Sequence, residues 1–265
     1  MKKNKINYWE NQSITNSGIL SFVEKIVRSH PLLYLIGRKI VRYTNIFEED
    51  AEGVKIIKFK KKINILDIGA SDGIASNFFL KNLDVNKIIC FEPDKNYIRI
   101  LKNINSEGKI IVKPFAIGNK NKIETVYFPE YKFLGKKFRF VTYCYYDKST
   151  LEKQIILDFI FRKNILIAKD KLKVQKYGKI KKKIDLIKID VNGFEFSVIK
   201  GLSNLIKRDK PALLIEMGKE TYKIEKFLKK YSYNQFIFSN KNKVFKKFKK
   251  KYALNMYFLQ KKHFI

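Results

Sequence analysis

ILDIGASDG, at residues 65–73, has the pattern of a buried strand that ends in a glycine-rich turn and continues into a helix from about Ile74. Glycines at 69 and 73 let the backbone turn sharply and approach a ligand closely. Their spacing differs from the Gly-x-Gly-x-x-Gly of dinucleotide-binding folds and from the Gly-Lys-Ser/Thr of Walker loops. The carboxylate of Asp67 beside the turn disfavours a pyrophosphate and suits a positively charged group, such as the ammonium of an amino acid.

Around this motif, short apolar strands alternate with amphipathic helical stretches. The alternation predicts an α/β fold in which a mostly parallel sheet is covered by helices on both faces. The predicted strands span residues 63–68, 87–92, 109–117, 124–128, 186–190, 212–217, 235–239 and 255–259, and the predicted helices span 74–83, 94–104, 194–206 and 219–230. Only the lysine-rich residues 241–251 separate the last two strands, so we expect the sheet to end in an antiparallel hairpin.

The same patterns predict a boundary near residue 60. Residues 1–60 contain two stretches with apolar residues at helical spacing, Ile19–Val27 and Leu32–Val41, so we expect a helical N-terminal extension. Residues 61–265 then form the α/β domain. Within it, residues 131–183 are rich in Tyr, Phe and Lys and predict an irregular insertion. Because insertions in α/β enzymes lie where loops do, this segment either covers the site or is additional sequence without a role there.

The composition excludes several classes of protein. Of the 265 residues, 45% are hydrophobic and 14% aromatic, which excludes a disordered basic tail. Cys90 and Cys144 are too few for a disulfide framework and lack the spacing of a zinc site. The 57 Lys and Arg against 25 Asp and Glu give a net charge of +32, although only seven of the basic residues are arginine. Arginine, which supplies the bidentate contacts to phosphate, is scarce here. The net charge therefore does not decide between a lysine-coated surface and an attraction to phosphate groups.

No targeting segment is recognisable. The basic Met1–Lys5 is followed by polar residues rather than by the apolar core of a signal peptide. The longest apolar stretch, Pro31–Ile36, is far shorter than the ~20 residues of a membrane-spanning helix. We therefore expect a cytoplasmic protein, and peripheral contact with an anionic membrane stays open.

A second motif points to a nucleoside. Cys90-Phe91-Glu92-Pro93-Asp94 ends the next predicted strand, and Glu92 lies 23 residues after Gly69. An acid in that place accepts hydrogen bonds from ribose hydroxyls in Rossmann-like folds. A ribose site beside an ammonium site indicates S-adenosylmethionine as the cofactor. The alternative is an exposed acid at the end of a strand.

A third motif, DLIKIDVNGFE at residues 185–195, adds acids at the same edge of the sheet. Asp190 ends a central strand, and Glu195 falls in the first turn of the next helix. Glu216 ends the neighbouring strand. Ligands of such sheets bind at the carboxyl ends of the strands, so these converging acids predict a catalytic site, with Asp190 towards the reactive end of the cofactor. The alternative role of Glu195 is to supply a favourable charge at a helix N-terminus and nothing more.

Together the motifs resemble the FkbM-type methyltransferases, which are S-adenosylmethionine-dependent enzymes. The residues that carry the resemblance are ILDIGASDG at 65–73, FEPD at 91–94, PFAIGN at 114–119, LIKIDVNGFEFSVIKG at 186–201 and LLIEMG at 213–218. The resemblance implies a Rossmann-like class I methyltransferase fold, with a mostly parallel seven-stranded sheet and an antiparallel C-terminal strand. The family usually has Glu where this chain has Asn192, and Ala where it has Phe194.

The resemblance also implies roles for individual residues. The cofactor would be bound by residues of the motifs at 65–73, 91–94 and 114–119. The 65–73 motif would lie at its methionine end, Glu92 at its ribose and Ala116 against its adenine. Asp190 would lie beside the sulfonium. The better-understood members of the family methylate hydroxyls, often those of sugars in glycans, glycolipids and natural products. The residues of the 65–73 motif with predicted cofactor contacts are Asp67, Gly69, Ala70, Asp72 and Gly73.

Methyl transfer to a hydroxyl sets the expected chemistry. Positioning of the two reactants contributes up to ~7–11 kcal/mol, and a general base typically adds ~10²–10⁴-fold. No histidine lies in the motifs, so Asp190 is the expected base, with Glu195 or Glu216 orienting the acceptor hydroxyl. A metal is the rival interpretation, since Asp190, Asn192 and Glu216 carry oxygen atoms that suit Mg²⁺. We expect no metal ligands.

Other acceptors fit the sequence less well. Methylation of exocyclic base nitrogens uses Asp/Asn-Pro-Pro-Tyr/Phe after the fourth strand, where this chain has Asp190-Val191-Asn192-Gly193. An RNA ribose 2′-O-methyltransferase is the enzymatic alternative, because the hydroxyl chemistry is the same and the chain is basic. The non-enzymatic alternative is a basic domain that binds nucleic acid or membrane. We expect a small-molecule or glycan acceptor and no specific nucleic-acid partner.

Overall fold

The structure is a computed structural model and describes residues 30–43, 48–104, 107–133, 135–159, 164–176, 180–248 and 253–264. The predicted helix at Ile19–Val27 lies outside these residues. The described chain begins with helix α1 (Pro31–Tyr43) and a 3₁₀ helix (Glu49–Ile56). No helix within these ranges combines the length and the apolar character needed to cross a membrane.

An eight-stranded main sheet forms the centre of the fold. Its strand order is β11-β10-β12-β9-β8-β1-β2-β3, and β1, β2, β3, β8 and β9 are parallel. β12 is antiparallel to β9 and β10. The strands are β1 (Ile63–Ile68), β2 (Val85–Phe91), β3 (Ile110–Lys113), β8 (Leu186–Ile189), β9 (Ala212–Glu216), β10 (Asn234–Ser239), β11 (Val244–Lys247) and β12 (Asn255–Leu259). This topology confirms the predicted Rossmann-like class I methyltransferase fold.

The eighth strand is the difference from the predicted seven-stranded sheet. β10 and β12 do form the expected antiparallel pair. The lysine-rich segment between them contains β11, which pairs with the other edge of β10. β11 is an exposed edge strand with the sequence VFKK, and lysines there discourage further strand pairing.

Helices cover both faces of the main sheet. α2 (Ile74–Asn82) and α3 (Lys95–Asn103) follow β1 and β2, and α2 packs on the face that carries Ile65. α5 (Glu195–Gly201), α6 (Ser203–Asp209) and α7 (Thr221–Lys229) pack on the face that carries Leu66 and Ile68. The alternation of neighbouring residues between two cores explains why the central strands are mostly apolar on both faces.

A second sheet is built from residues that the sequence predicted to be one strand and an irregular insertion. Its order is β4-β7-β5-β6, with β4 (Ala116–Ile117), β5 (Lys122–Phe133), β6 (Lys136–Arg139) and β7 (Ile165–Gln175). The expected strand at 109–117 is divided between β3 and β4, which belong to different sheets. The regular structure within 131–183 consists of the end of β5, β6, β7 and helix α4 (Lys148–Asp158).

A small third core explains how this second sheet is stabilised. Seven buried residues, mostly aromatic, pack together there, and they are Tyr34, Tyr131, Phe140, Tyr145, Leu151, Ile155 and Phe159. Tyr34 comes from α1, and its ring lies 5.1 Å from that of Phe140. Burial of these rings holds α1 and α4 against the second sheet.

Candidate active site

A cavity of about 760 Å³ lies at the carboxyl ends of the parallel strands. One wall is formed by the ends of β1, β2, β8 and β9, where Gly69, Glu92, Asp190 and Glu216 line it. The opposite wall is the second sheet, which contributes Val126, Phe128, Arg139, Asp170 and Leu172. The second sheet therefore closes over the edge at which sequence analysis placed the site.

The glycine-rich turn brings two strand ends together. Gly69 has φ +78°, and a Cβ on it would lie 1.9 Å from the carbonyl oxygen of Asp190. Gly73 has φ +81° and packs against Leu101 and Ile104 of the α3 region, with 2.5 Å between its ideal Cβ and Cδ1 of Ile104. Both positions need glycine for space as well as for backbone conformation. The backbone amides of Gly69 and Ala70 donate to the carbonyl oxygen of Phe91, at 3.0 and 3.3 Å.

Glu92 is fixed by backbone amides and faces the cavity. Its Oε2 accepts a hydrogen bond from the amide of Ser71 at 2.8 Å, and its Oε1 accepts one from the amide of Asp94 at 2.8 Å. Burial raises the pKa of Glu92 to about 7. Ser71 also lines the cavity, and its buried hydroxyl has no hydrogen-bond partner. The oriented acid and the unpaired hydroxyl are groups that a polar ligand can satisfy.

Asp67 lies behind this wall rather than in it. Its side chain is fully buried, and Ser76 Oγ donates to its Oδ2 at 2.6 Å. Its Oδ1 has no hydrogen-bond partner and lies 3.8 Å from Nζ of Lys188. Burial raises the pKa of Asp67. The structure therefore places the predicted ammonium-binding carboxyl group beneath the turn, where it acts on the cavity through its charge.

Asp72 is engaged by two arginines of α1. Arg38 donates to both carboxylate oxygens, at 2.9 and 2.5 Å, and Arg42 donates to Oδ2 at 3.1 Å and to the backbone carbonyl at 3.0 Å. Asp72 is 2% exposed, so this clamp neutralises a buried charge. Arg38 also lines the cavity. Sequence analysis missed both arginines, although their spacing of four residues on one helix was a usable signal.

Asp190 is the centre of a charged cluster. Nζ of Lys188 lies 3.1 Å from its Oδ2. Glu216 hydrogen-bonds to Asp190, and burial and the negative charge of Asp190 raise the pKa of Glu216 well above its usual range. Burial and the charge of Asp190 likewise raise the pKa of Glu48 to about 7. The structure thus brings the predicted Asp190 and Glu216 together and adds Lys188 and Glu48.

Lys188 is another residue of the site that sequence analysis missed. It is 3% exposed in a strand whose other residues, Leu186, Ile187 and Ile189, are buried and apolar. Opposite charges on Asp190 and Asp67 outweigh burial and raise its pKa, so the buried ammonium is charged. A lysine in a strand whose other residues are all apolar was the available signal, because a buried ammonium needs acidic partners.

Glu195 shapes the turn that follows β8. Its Oε1 accepts hydrogen bonds from the amides of Gly193 at 2.8 Å and Val191 at 3.3 Å. Burial raises its pKa to about 7. The carboxyl group is 2% exposed and lies outside the set of residues that line the cavity. The structure places Glu195 where it holds the backbone next to Asp190.

Other residues complete the cavity. Ala116 lines it from β4, and Asn192 lines it beside Asp190 and donates to the Thr142 carbonyl at 3.2 Å. Cys144 also lines it, but burial raises the pKa of this thiol to about 12, so the residue is a poor nucleophile. Within the described ranges, no group of three or more His, Cys, Asp and Glu side chains has the geometry of a metal site.

Comparison with known protein families identifies one whose model matches this chain. A model described as the methyltransferase FkbM domain matches residues 67–237 of the chain. No curated protein matches the sequence.

Several solved structures are similar at low identity. Methyltransferase FkbM from Methylobacillus flagellatus KT is 14% identical with a TM-score of 0.47, and the match covers 77% of this chain and 45% of that chain. TrmK of M. capricolum, in complex with S-adenosyl-homocysteine, is 10% identical with a TM-score of 0.41, over 83% and 71% of the two chains. Aeropyrum pernix fibrillarin, with natively bound S-adenosyl-L-methionine, is 10% identical with a TM-score of 0.39, over 76% and 67%. The chain therefore spans less than half the length of the Methylobacillus protein.

Proposed function

Because the chain belongs to the FkbM methyltransferase family, we propose that it transfers a methyl group from S-adenosylmethionine to a hydroxyl, that of a sugar in a glycan, glycolipid or related metabolite. The observation that carries the proposal is the single cavity shared by Glu92 and Asp190. A cofactor-binding group and an acid for the acceptor thus lie on one wall. We place the reaction in the cytoplasm.

The cavity fits the proposed cofactor. Its volume of about 760 Å³ lies within the range of ligand pockets. Glu92 presents a fixed carboxyl group for a ribose, and the unpaired hydroxyl of Ser71 is a free partner for the polar end of the ligand. Gly69 leaves the wall open because it has no side chain. The buried charge of Asp67 favours a cation above the turn.

The chemistry follows from the state of the acids. When bound, S-adenosylmethionine supplies an electrophilic methyl group on a sulfonium. Asp190, whose Oδ2 lies 3.1 Å from Nζ of Lys188, accepts the proton of the acceptor hydroxyl as general base. Burial and the charge of Asp190 raise the pKa of Glu216 well above its usual range, and Glu216 orients Asp190 through their hydrogen bond.

The wall opposite the acids suits a hydroxyl-rich acceptor. Aromatic rings and hydrogen-bonding groups both line it: Phe128 and Tyr146, together with Arg139, which lies 4.8 Å from the Phe128 ring, and Thr142. Rings can pack on the apolar face of a sugar, while the polar groups bind its hydroxyls. This combination supports a small-molecule or glycan acceptor over a flat apolar one.

Isotopic methyl transfer tests the proposal. The protein is incubated with methyl-labelled S-adenosylmethionine and, separately, with polysaccharide, lipid-linked and RNA fractions from the source cell. We expect label in a carbohydrate-containing fraction, stable to mild base as an ether is, and absent with Asp190→Asn. Calorimetry with S-adenosylhomocysteine measures cofactor binding independently. A protein that binds neither S-adenosylmethionine nor its by-product is the basic binding domain of the non-enzymatic alternative.

Methylation of an RNA ribose 2′-hydroxyl is the second candidate. The outer side of the second sheet carries a groove lined by Lys122, Lys171, Lys173 and Lys176, which suits a phosphate backbone. Label in the RNA fraction, together with saturable RNA binding that weakens steeply with salt, would favour this acceptor. Weak binding that vanishes at physiological salt would instead indicate a lysine surface without a specific RNA partner.

A further inference from the structure

We propose that Lys188 is a positioning residue, which couples the buried Asp67 to Asp190 and fixes the carboxylate of Asp190 for proton transfer. This inference rests on the proposed function. Burying an ammonium in the middle of an apolar strand costs stability unless the charge is paired. Lys188 is nevertheless only 3% exposed. We explain its place in the strand by the contacts that its charge makes at the end of the strand.

The strand register places Lys188 between the two acids. Lys188 lies directly beside Asp67 in the parallel pair β1–β8 and two residues before Asp190, so its side chain leaves the same face of the sheet as that of Asp190. Its Nζ lies 3.1 Å from Oδ2 of Asp190 and 3.8 Å from Oδ1 of Asp67. One ammonium thus bridges a fully buried acid and an acid whose side chain is 33% exposed in the cavity.

The buried side of this bridge is rigid. Asp67 is fully buried, and its Oδ2 is held by Ser76 at 2.6 Å. Its Oδ1 has no hydrogen-bond partner, so the charge of Lys188 is the group that faces it. Asp67 therefore fixes the position of the ammonium, and the ammonium in turn fixes one oxygen of Asp190.

Other charged groups around Asp190 do not replace this role. Glu216 and Glu48 face it as carboxyl groups, and Glu195 is turned towards backbone amides. In the described part of the chain, Lys188 is the cation that lies within salt-bridge distance of Asp190. Removing its charge leaves Asp190 among other acids, so the carboxylate would rotate or bind a proton and lose its function as a base.

The first test needs no acceptor. In the ¹⁵N-labelled protein, a buried, hydrogen-bonded ammonium exchanges slowly enough to be detected, and the Lys188 resonance is identified by its loss in Lys188→Arg. We expect this resonance to shift in Asp190→Asn and to stay in place in Asp170→Asn, which removes a carboxylate from the opposite wall of the cavity. A resonance that does not respond to Asp190→Asn would overturn the coupling whatever reaction the protein catalyses.

The second test measures transfer to the cell fraction that accepts label. We expect Lys188→Met to lower kcat about 10–100-fold, with KM for that fraction and affinity for S-adenosylhomocysteine within about threefold. Lys188→Arg keeps the positive charge, so the logarithm of its fold-loss in kcat should be at most half that of Lys188→Met. Lys226→Met, at an exposed lysine on α7 outside the cavity, is the control and should keep kcat.

Folding is checked separately. If Lys188→Met does not fold, the double variant Asp67→Asn/Lys188→Met removes the buried partner together with the lysine, and it should fold with the same loss of kcat. Normal kcat in either folded variant, or a loss of cofactor affinity in Lys188→Met equal to its loss of kcat, would overturn the positioning role. Failure of the proposed function has a different signature, in which wild-type protein transfers no methyl group while the ammonium resonance still responds to Asp190→Asn.

Discussion

The carbonyl oxygen of Asp190 occupies the space that a side chain on Gly69 would need, 1.9 Å from its ideal Cβ. This contact joins the end of β1 to the end of β8, since the amide of Asp190 also donates to the carbonyl of Ile68 at 3.0 Å. The turn proposed to bind the cofactor and the proposed base are therefore parts of one rigid unit. A shift in the backbone of either is expected to disturb the other, whereas a change confined to the Asp190 side chain is not.

Gly69→Ala should consequently abolish cofactor binding. The new methyl group has no room, and its backbone would have to leave φ +78°, so either the turn or the Asp190 backbone must shift. We expect a loss of at least about 100-fold in S-adenosylhomocysteine affinity by calorimetry, because this shift displaces binding groups that act by close approach.

Gly108→Ala is the matched control. Gly108 also has positive φ, +63°, but nothing lies within 4 Å of its ideal Cβ. It should lose roughly 1 kcal/mol of stability and keep its affinity. Wild-type affinity in folded Gly69→Ala would place the cofactor elsewhere.

Asp190→Asn should separate chemistry from binding. The substitution keeps the side-chain volume and removes the charge, so we expect turnover to fall on the order of 10²-fold or more. Cofactor affinity should change by much less, because Glu92 and the glycine-rich turn are untouched. Asp84→Asn, at an exposed position just before β2 and outside the cavity, is the control for a lost carboxylate. Activity that EDTA removes and Mg²⁺ restores would reassign Asp190 as a metal ligand.

The arginine clamp on Asp72 predicts that α1 is held by charge. Asp72→Asn leaves Arg38 and Arg42 facing a neutral amide, and we expect a loss of roughly 2–4 kcal/mol in the free energy of unfolding. Amide hydrogen exchange in α1 should accelerate before that in the main sheet. Asp170→Asn, which breaks an exposed pair with Arg139, should cost at most about 1 kcal/mol. Unchanged exchange in α1 would show that the aromatic contacts of Tyr34 suffice.

The buried glutamates predict an unusual dependence of stability on pH. Burial raises the pKa of Glu195 from 4.5 to about 7. A carboxyl group with a higher pKa in the folded state binds more protons when folded, so its contribution to stability falls as pH rises from about 4.5 to about 7. Glu195→Gln still accepts the amide hydrogen bonds of Gly193 and Val191 but does not titrate.

Denaturant unfolding at about pH 5 and about pH 7.5 measures this effect. We expect Glu195→Gln to reduce the loss of stability between the two pH values by on the order of 1–3 kcal/mol relative to wild type. Glu152→Gln, at an exposed position on α4, is the control and should follow wild type. An identical pH dependence in Glu195→Gln and wild type would show that Glu195 titrates in the folded protein as it does in the unfolded one.

The main sheet was predictable because local patterns dictate it. β1 begins and ends at the residues that sequence analysis gave, since Ile63–Ile68 is rich in isoleucine and leucine and is followed by Gly69. The second sheet was not predictable in the same way. In β7, lysines alternate with other residues over 169–173, and the strand is half-exposed, so its pattern resembles that of a charged loop. Its pairing with β5 joins residues far apart in sequence, which a local pattern does not record.

The site shows the same division. Glu92 and Asp190 were predictable because each ends an apolar strand at a recognisable motif. Asp67 and Asp72 were recognised as polar residues of the motif, but their surroundings depend on Lys188, Arg38 and Arg42 from other parts of the chain. Sequence spacing identifies which acids meet at an edge, whereas the partner of each acid is set by tertiary packing.

The excess of carboxyl groups over ammonium groups at the edge of the main sheet has a consequence for the reaction cycle. The two carboxyl groups of Asp67 and Asp190 share the ammonium of Lys188. Under the proposed chemistry, the incoming sulfonium is a cation and the spent thioether is neutral. The same surroundings that attract the reagent therefore hold its by-product less tightly, so each transfer event itself promotes exchange and weakens inhibition by the accumulated by-product.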